Sequence, residues 1–104
     1  MTIQLNADNH LHIHAAFSEK LNDMLNDELS RFSENISRLE VHLSDENGSK
    51  ESPDDKRCMI EARVDGRPPV AVTAHGDTYE LAANNCIDKL TASLETVFGK
   101  MRNY

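Results

Sequence analysis

Ile3 and Leu5 alternate with Thr2 and Gln4, the two-residue period that turns every other side chain to one face of a strand. A turn-prone Asn6-Ala7-Asp8-Asn9 follows, and then a second alternation through His10-Leu11-His12-Ile13-His14. From Ala15 the period changes. Phe17, Leu21, Leu25, Leu29 and Phe32, with Met24 beside them, recur at three- and four-residue spacing and predict an amphipathic helix of about five turns. Alternation resumes through Ile36, Leu39, Val41 and Leu43, a strand. Ser44 to Lys56 holds Asn-Gly, Ser-Pro and Asp-Asp with almost nothing apolar, and reads as an exposed acidic loop, 44–56, between antiparallel strands.

The next strand, Arg57 to Val64, places Cys58, Ile60, Ala62 and Val64 on one face. Asp65-Gly66-Arg67-Pro68 makes a tight turn into a returning strand over Pro69 to Ala74. Gly76-Asp77 opens the last helix, with Asp77 at the N-cap and Glu80 three residues on in a capping-box layout. Ala83, Ile87, Leu90, Leu94, Val97 and Met101 form its inner stripe, with Tyr79 and Cys86 beside them. The order β-α-β-β-β-α implies a right-handed crossover that makes the first strand parallel to its neighbour, followed by an antiparallel meander. Each helix has one apolar face, so both cover the same face of a four-stranded sheet. The expected fold is an α+β two-layer sandwich, a single domain over residues 1–104.

Charge narrows the function. With 18 Asp and Glu against 11 Lys and Arg, the net charge is −7, which argues against generic binding to nucleic acid or an acidic membrane, because phosphates need clustered bases. No apolar run approaches the length of a membrane span, and the start lacks the basic-then-apolar layout of a signal peptide, so a cytoplasmic protein is expected. Cys58 and Cys86 are too few and too far apart for a disulfide framework or a cysteine zinc site, and are expected as buried thiols. His10, His12 and His14 share one strand face, but no cysteine or supporting carboxylate accompanies them, so they are read as solvent-facing and not as a metal site. No nucleophile motif, glycine-rich phosphate loop or carboxylate pair stands out, so neither catalysis, a cofactor nor a small-molecule substrate is expected.

Several strings resemble the ribosome hibernation promoting factor family, also called ribosome-associated inhibitor or sigma-54 modulation proteins. Val72-Thr-Ala74-His-Gly76-Asp77-Thr-Tyr79 is similar to that family's strand, small-residue turn and Asp-x-Tyr helix start, and Ile87-Asp88-Lys89-Leu90 to its helix string. Leu11-His-Ile13 entering a helix that ends at Phe32 is similar in spacing. The resemblance implies a fold like double-stranded-RNA-binding domains, and binding to the small ribosomal subunit in the channel used by messenger and transfer RNA. Such binding idles translation when growth stops. Ending just past its second helix, the chain looks like a short member of the family.

The family meets rRNA phosphates through Lys and Arg on both helices, and here this chain departs from the pattern. Ser18, Asn22, Asp23, Asn26 and Asp27 occupy the surface of the first helix, and Ala92, Thr96 and Phe98 the basic slots after Leu90. Across 15–35 and 77–104 there are nine acids against five bases. The resemblance therefore leaves Lys20, Arg31, Lys89, Lys100 and Arg102 as candidate rRNA contacts. The alternative is an acidic interaction module without rRNA binding, in which Asp23, Asp27 and Glu28 dock a basic protein.

Overall fold

The computed structural model describes residues 1–7, 15–45 and 56–102, with side chains through Gly99. Its elements are β1 (Thr2–Ala7), α1 (Ala15–Glu28), a 3-10 helix (Ser30–Asn35), β2 (Ile36–Asp45), β3 (Lys56–Val64), β4 (Val70–Gly76) and α2 (Tyr79–Arg102). The four-stranded sheet has the order β1-β2-β3-β4. β1 pairs parallel with β2, Ile3 beside Leu39 and Leu5 beside Val41, while β2, β3 and β4 form an antiparallel meander. This is the α+β sandwich expected from the periodicities. The histidine alternation at 10–14 and the loop centre, 46–55, lie outside the described residues.

One face of the sheet and the inner stripes of both helices make a single core. Leu39, Val41, Leu43, Cys58, Ile60, Ala62 and Ala74 from the sheet meet Leu21, Leu25, Ala82, Ala83, Cys86, Ile87, Leu90 and Leu94 from the helices, all buried. Val72 packs against this cluster from a half-buried position.

The local chemistry shifts several boundaries. β1 continues through Asn6 and Ala7, which pair with His42 and Leu43 instead of turning. α1 has 14 residues, fewer than five turns need. Beyond it the Ser30 hydroxyl donates to the Asp27 carbonyl at 3.1 Å and Ser33 to the Ser30 carbonyl at 2.9 Å. Serines that bond neighbouring carbonyls compete with the α-helical ladder, and the tighter 3-10 turns that follow still bring Phe32 into the core. Ile36 and Leu39 are both buried although three residues apart, because the register slips between Ile36 and Arg38 and Ser37 is the extra residue of a bulge. Ser44, Asp45 and Lys56, read from the sequence as loop, belong to strands, where the Lys56 ammonium lies 3.2 Å from the Asp45 carboxylate.

Two glycines are used for different reasons. Gly66 has φ 72° in the turn where the Arg67 N–H reaches the Val64 carbonyl at 3.2 Å, a left-handed position that costs glycine little. Gly76 is a matter of space: a Cβ there would lie 2.6 Å from the Ala82 nitrogen and 2.9 Å from the Leu81 Cβ. The N-cap of α2 is Thr78 and not Asp77. Its hydroxyl accepts the Leu81 N–H at 3.1 Å, and its carbonyl accepts the Ala82 N–H at 2.9 Å. A cap hydroxyl serves the N–H three residues on, and that position holds Leu81, so Glu80 completes no capping box.

The far end of α2 also differs from its periodicity. Phe98, assigned to the outer surface, is buried and stacks on Phe32 with ring centroids 5.1 Å apart, while Val97 is only half-buried. The aromatic stack joins the 3-10 segment to α2 and so draws Phe98 inward.

Replacing Ile87 with Ala should destabilise the fold by about 2–5 kcal/mol through lost transfer energy and the cavity left behind. Gly76→Ala should cost about 1–3 kcal/mol by overpacking against a helix backbone that cannot step aside. Urea unfolding of both variants checks the two values, and a Gly76→Ala protein as stable as the wild type would refute the close approach.

Candidate functional site

The helices lie side by side and run in the same direction, as two ion pairs across their seam show. Near the start of each helix Lys20 Nζ sits 2.5 Å from Glu80 Oε1, and further along Arg31 pairs with Glu95. All four side chains remain about half exposed. The Arg31 guanidinium also lies 4.7 Å from the Phe32 ring centroid, a cation–π contact.

Lys89 is engaged elsewhere. β4 is an edge strand, and its outward carbonyls are taken by α2: Lys89 Nζ donates to the Thr73 carbonyl at 2.9 Å and Asn85 Nδ2 to the His75 carbonyl at 3.0 Å. Residues four apart on a helix rise about 6 Å, close to the two-residue spacing of outward carbonyls on a strand. The two donors therefore match the two acceptors and cover the edge. The sequence carries this signal as an Asn-x-x-x-Lys spacing, which has meaning only once β4 is known to be the edge.

Lys20, Arg31 and Lys89 thus each have a partner within the chain, and Lys100 and Arg102 lie beyond the described side chains. Asp23, Asp27 and Glu28 are all exposed on α1. Among the described residues no ion pair engages them, nor Glu19, Glu34 or Asp88. The outer surface of the helical layer is therefore acidic.

The opposite face of the sheet is built differently. Arg38, Glu40, His42 and Ser44 of β2 point away from the core, as do Arg57, Met59, Glu61 and Arg63 of β3. Register sets His42 beside Met59, Ser44 beside Arg57, and Arg57 beside His75. Arg38 bonds Gln4 and lies 2.9 Å from Glu40 Oε1, and Arg63 lies 3.5 Å from Glu61. At one end of this face a cleft of about 270 Å³ is lined by Asn6, Ala7, His42, Leu43, Ser44, Arg57 and Met59.

Cys58 and Cys86 are both free and fully buried. The Cys86 thiol lies 3.3 Å from the Cys58 carbonyl. The hydrogen bond with Cys86, and then burial, push the Cys58 thiol far above the ordinary range, so it stays protonated and serves packing. Among the described residues no three His, Cys, Asp or Glu side chains gather to hold a metal ion. No described helix is long and apolar enough to cross a membrane.

The model of the family described as "Sigma 54 modulation protein / S30EA ribosomal protein" matches residues 5–102. The chain belongs to this family. Two solved structures share the S30EA fold of this chain. The Protein Y N-terminal domain of Thermus thermophilus has a TM-score of 0.73 at 20% identity, covering 93% of this chain and 99% of that one. A ribosomal subunit interface protein from Coxiella burnetii has a TM-score of 0.74 at 17% identity, covering 95% and 99%. No curated protein sequence matches the chain. In this S30EA member the outer surface of the helical layer carries carboxylates.

Ion pairs between half-exposed side chains are weak, so the seam should give up its bases readily. A double-mutant cycle with Lys20→Ala and Glu80→Ala should yield a coupling of about 0.2–1 kcal/mol. Thermal unfolding at low and high salt measures it, and a coupling above about 2 kcal/mol would show that Lys20 is locked to structure.

Proposed function

We propose that this chain is a ribosome-associated factor that binds the small ribosomal subunit in the cytoplasm and idles translation in stationary phase or stress, without catalysing a reaction. The observation that carries this reading is the family match over residues 5–102, on a sandwich whose fold is shared with the two solved structures. The partner would be rRNA together with ribosomal proteins. Lys20, Arg31, Lys89, Lys100 and Arg102 remain the helix-borne bases for such a contact, the first two released from weak pairs.

The acidic surface of α1 favours a second reading, a divergent member that docks a basic protein through Asp23, Asp27 and Glu28. The two readings differ in the sign of one effect. Carboxylates facing rRNA repel it over about a Debye length, roughly 8 Å at physiological salt, whereas carboxylates facing a basic partner attract it.

Co-sedimentation with purified small subunits tests the first reading, and its absence with stationary-phase subunits would refute it. Replacing Asp23, Asp27 and Glu28 together by Asn or Gln should tighten ribosome binding, with the gain shrinking as salt rises. Weaker binding to a basic partner, without ribosome association, would support the docking module instead.

A further inference from the structure

We propose that this chain meets RNA with the open face of its sheet, and that the cleft between the ends of β1, β2 and β3 holds a backbone phosphate. The inference rests on the ribosome reading for the identity of its partner and deepens it by naming the contacting surface.

Charge separates the two faces. Across 15–35 and 77–104 the helical layer carries nine acids against five bases, and three of those bases, Lys20, Arg31 and Lys89, hold partners within the chain. On the open sheet face Arg38, Arg57 and Arg63 stand against Glu40 and Glu61, with His42 and His75 beside them. These arginines have partners in the chain too, so the sign of the charge, and not engagement, separates the faces. A polyanion approaching this protein is repelled from the helices and finds more arginine than carboxylate on the sheet.

The cleft supplies suitable chemistry. Arg57, His42, Asn6 and Ser44 are its polar lining residues, and among the described residues no Asp or Glu lines it. Arginine, asparagine and serine side chains are the usual donors to phosphate oxygens, and a guanidinium can grip two of them at once. Asn6 pairs with His42, and Ser44 with Arg57, on neighbouring strands, so all four donors fall within about two strand spacings of each other. Arg63 lies six residues along β3 on the same face, about 20 Å away, which extends the contact from one phosphate to a strand of backbone.

Two measurements on the full chain test the proposal. A short single-stranded RNA titrated into isotopically labelled protein should shift the amides of Asn6, His42, Ser44 and Arg57. Shifts confined to α1 and α2, or no shift on the sheet, would overturn it. In small-subunit binding, Arg57→Gln with Arg63→Gln should lose about tenfold in affinity and flatten the log-log salt slope by about one to two. Lys20→Gln with Lys89→Gln should change both much less, and a larger loss from this helix pair would overturn the proposal. The two readings fail separately. Subunit binding that survives the sheet variants removes the sheet surface and leaves ribosome association standing. A sheet that responds to RNA in a protein that ignores subunits removes the ribosome reading alone.

Discussion

The close approach of Gly76 to the backbone of Ala82 sets the geometry of the helical layer. Only Asp77 and Thr78 separate β4 from α2, so the chain must reverse almost on the spot. A side chain at position 76 would hold the two elements apart. With hydrogen there, the buried Ala82 and Ala83 settle onto the sheet and α2 runs back along β4 within reach of its edge. Thr78 completes the arrangement by capping the helix where it begins. The small residues, the cap and the edge contacts are parts of one tight reversal.

From that reversal α2 becomes the element that organises the others. One flank covers the exposed carbonyls of β4 through Asn85 and Lys89, another holds α1 through Glu80 and the 3-10 segment through Glu95, and its last turns bring Phe98 onto Phe32. The same residues limit what the helices offer a partner. Bases that serve an edge or a seam must exchange one interaction for another before they touch phosphate. Weak exposed pairs permit that exchange, but the surrounding carboxylates oppose it. The sheet's arginines have partners of their own, but on the described strands they outnumber the carboxylates of their face.

Much of this was legible along the chain. The alternations in β2 and β3 and the leucine spacing of α1 report burial directly, because period two and period 3.6 are geometric consequences of strand and helix. Ile36 and Leu39 already carried the bulge in their three-residue spacing. The cap was misread because Asp77 and Thr78 are both good capping residues, and the choice between them depends on how closely Gly76 lets the helix approach. Phe98 was misread because its partner, Phe32, lies in a 3-10 segment that the leucine periodicity continues as α-helix. The site was less legible than the fold. Which base meets which acid across the seam follows from helix direction, and which side chains of neighbouring strands stand beside one another follows from register, neither of which is written in local pattern.

The ionic seam also joins residues that are far apart in time. Lys20 and Glu80 are separated by 60 positions, and Arg31 and Glu95 by 64. During synthesis at about 5–20 residues per second, α1 is made some seconds before the helix that fastens it. In that interval its leucine stripe has the early strands to lean on but no α2, and β1 must wait for β2 to be made before it can pair. The chain's earliest third is therefore committed to its place by its latest third, so a nascent chain that stalls before α2 presents an unfastened amphipathic helix to its surroundings.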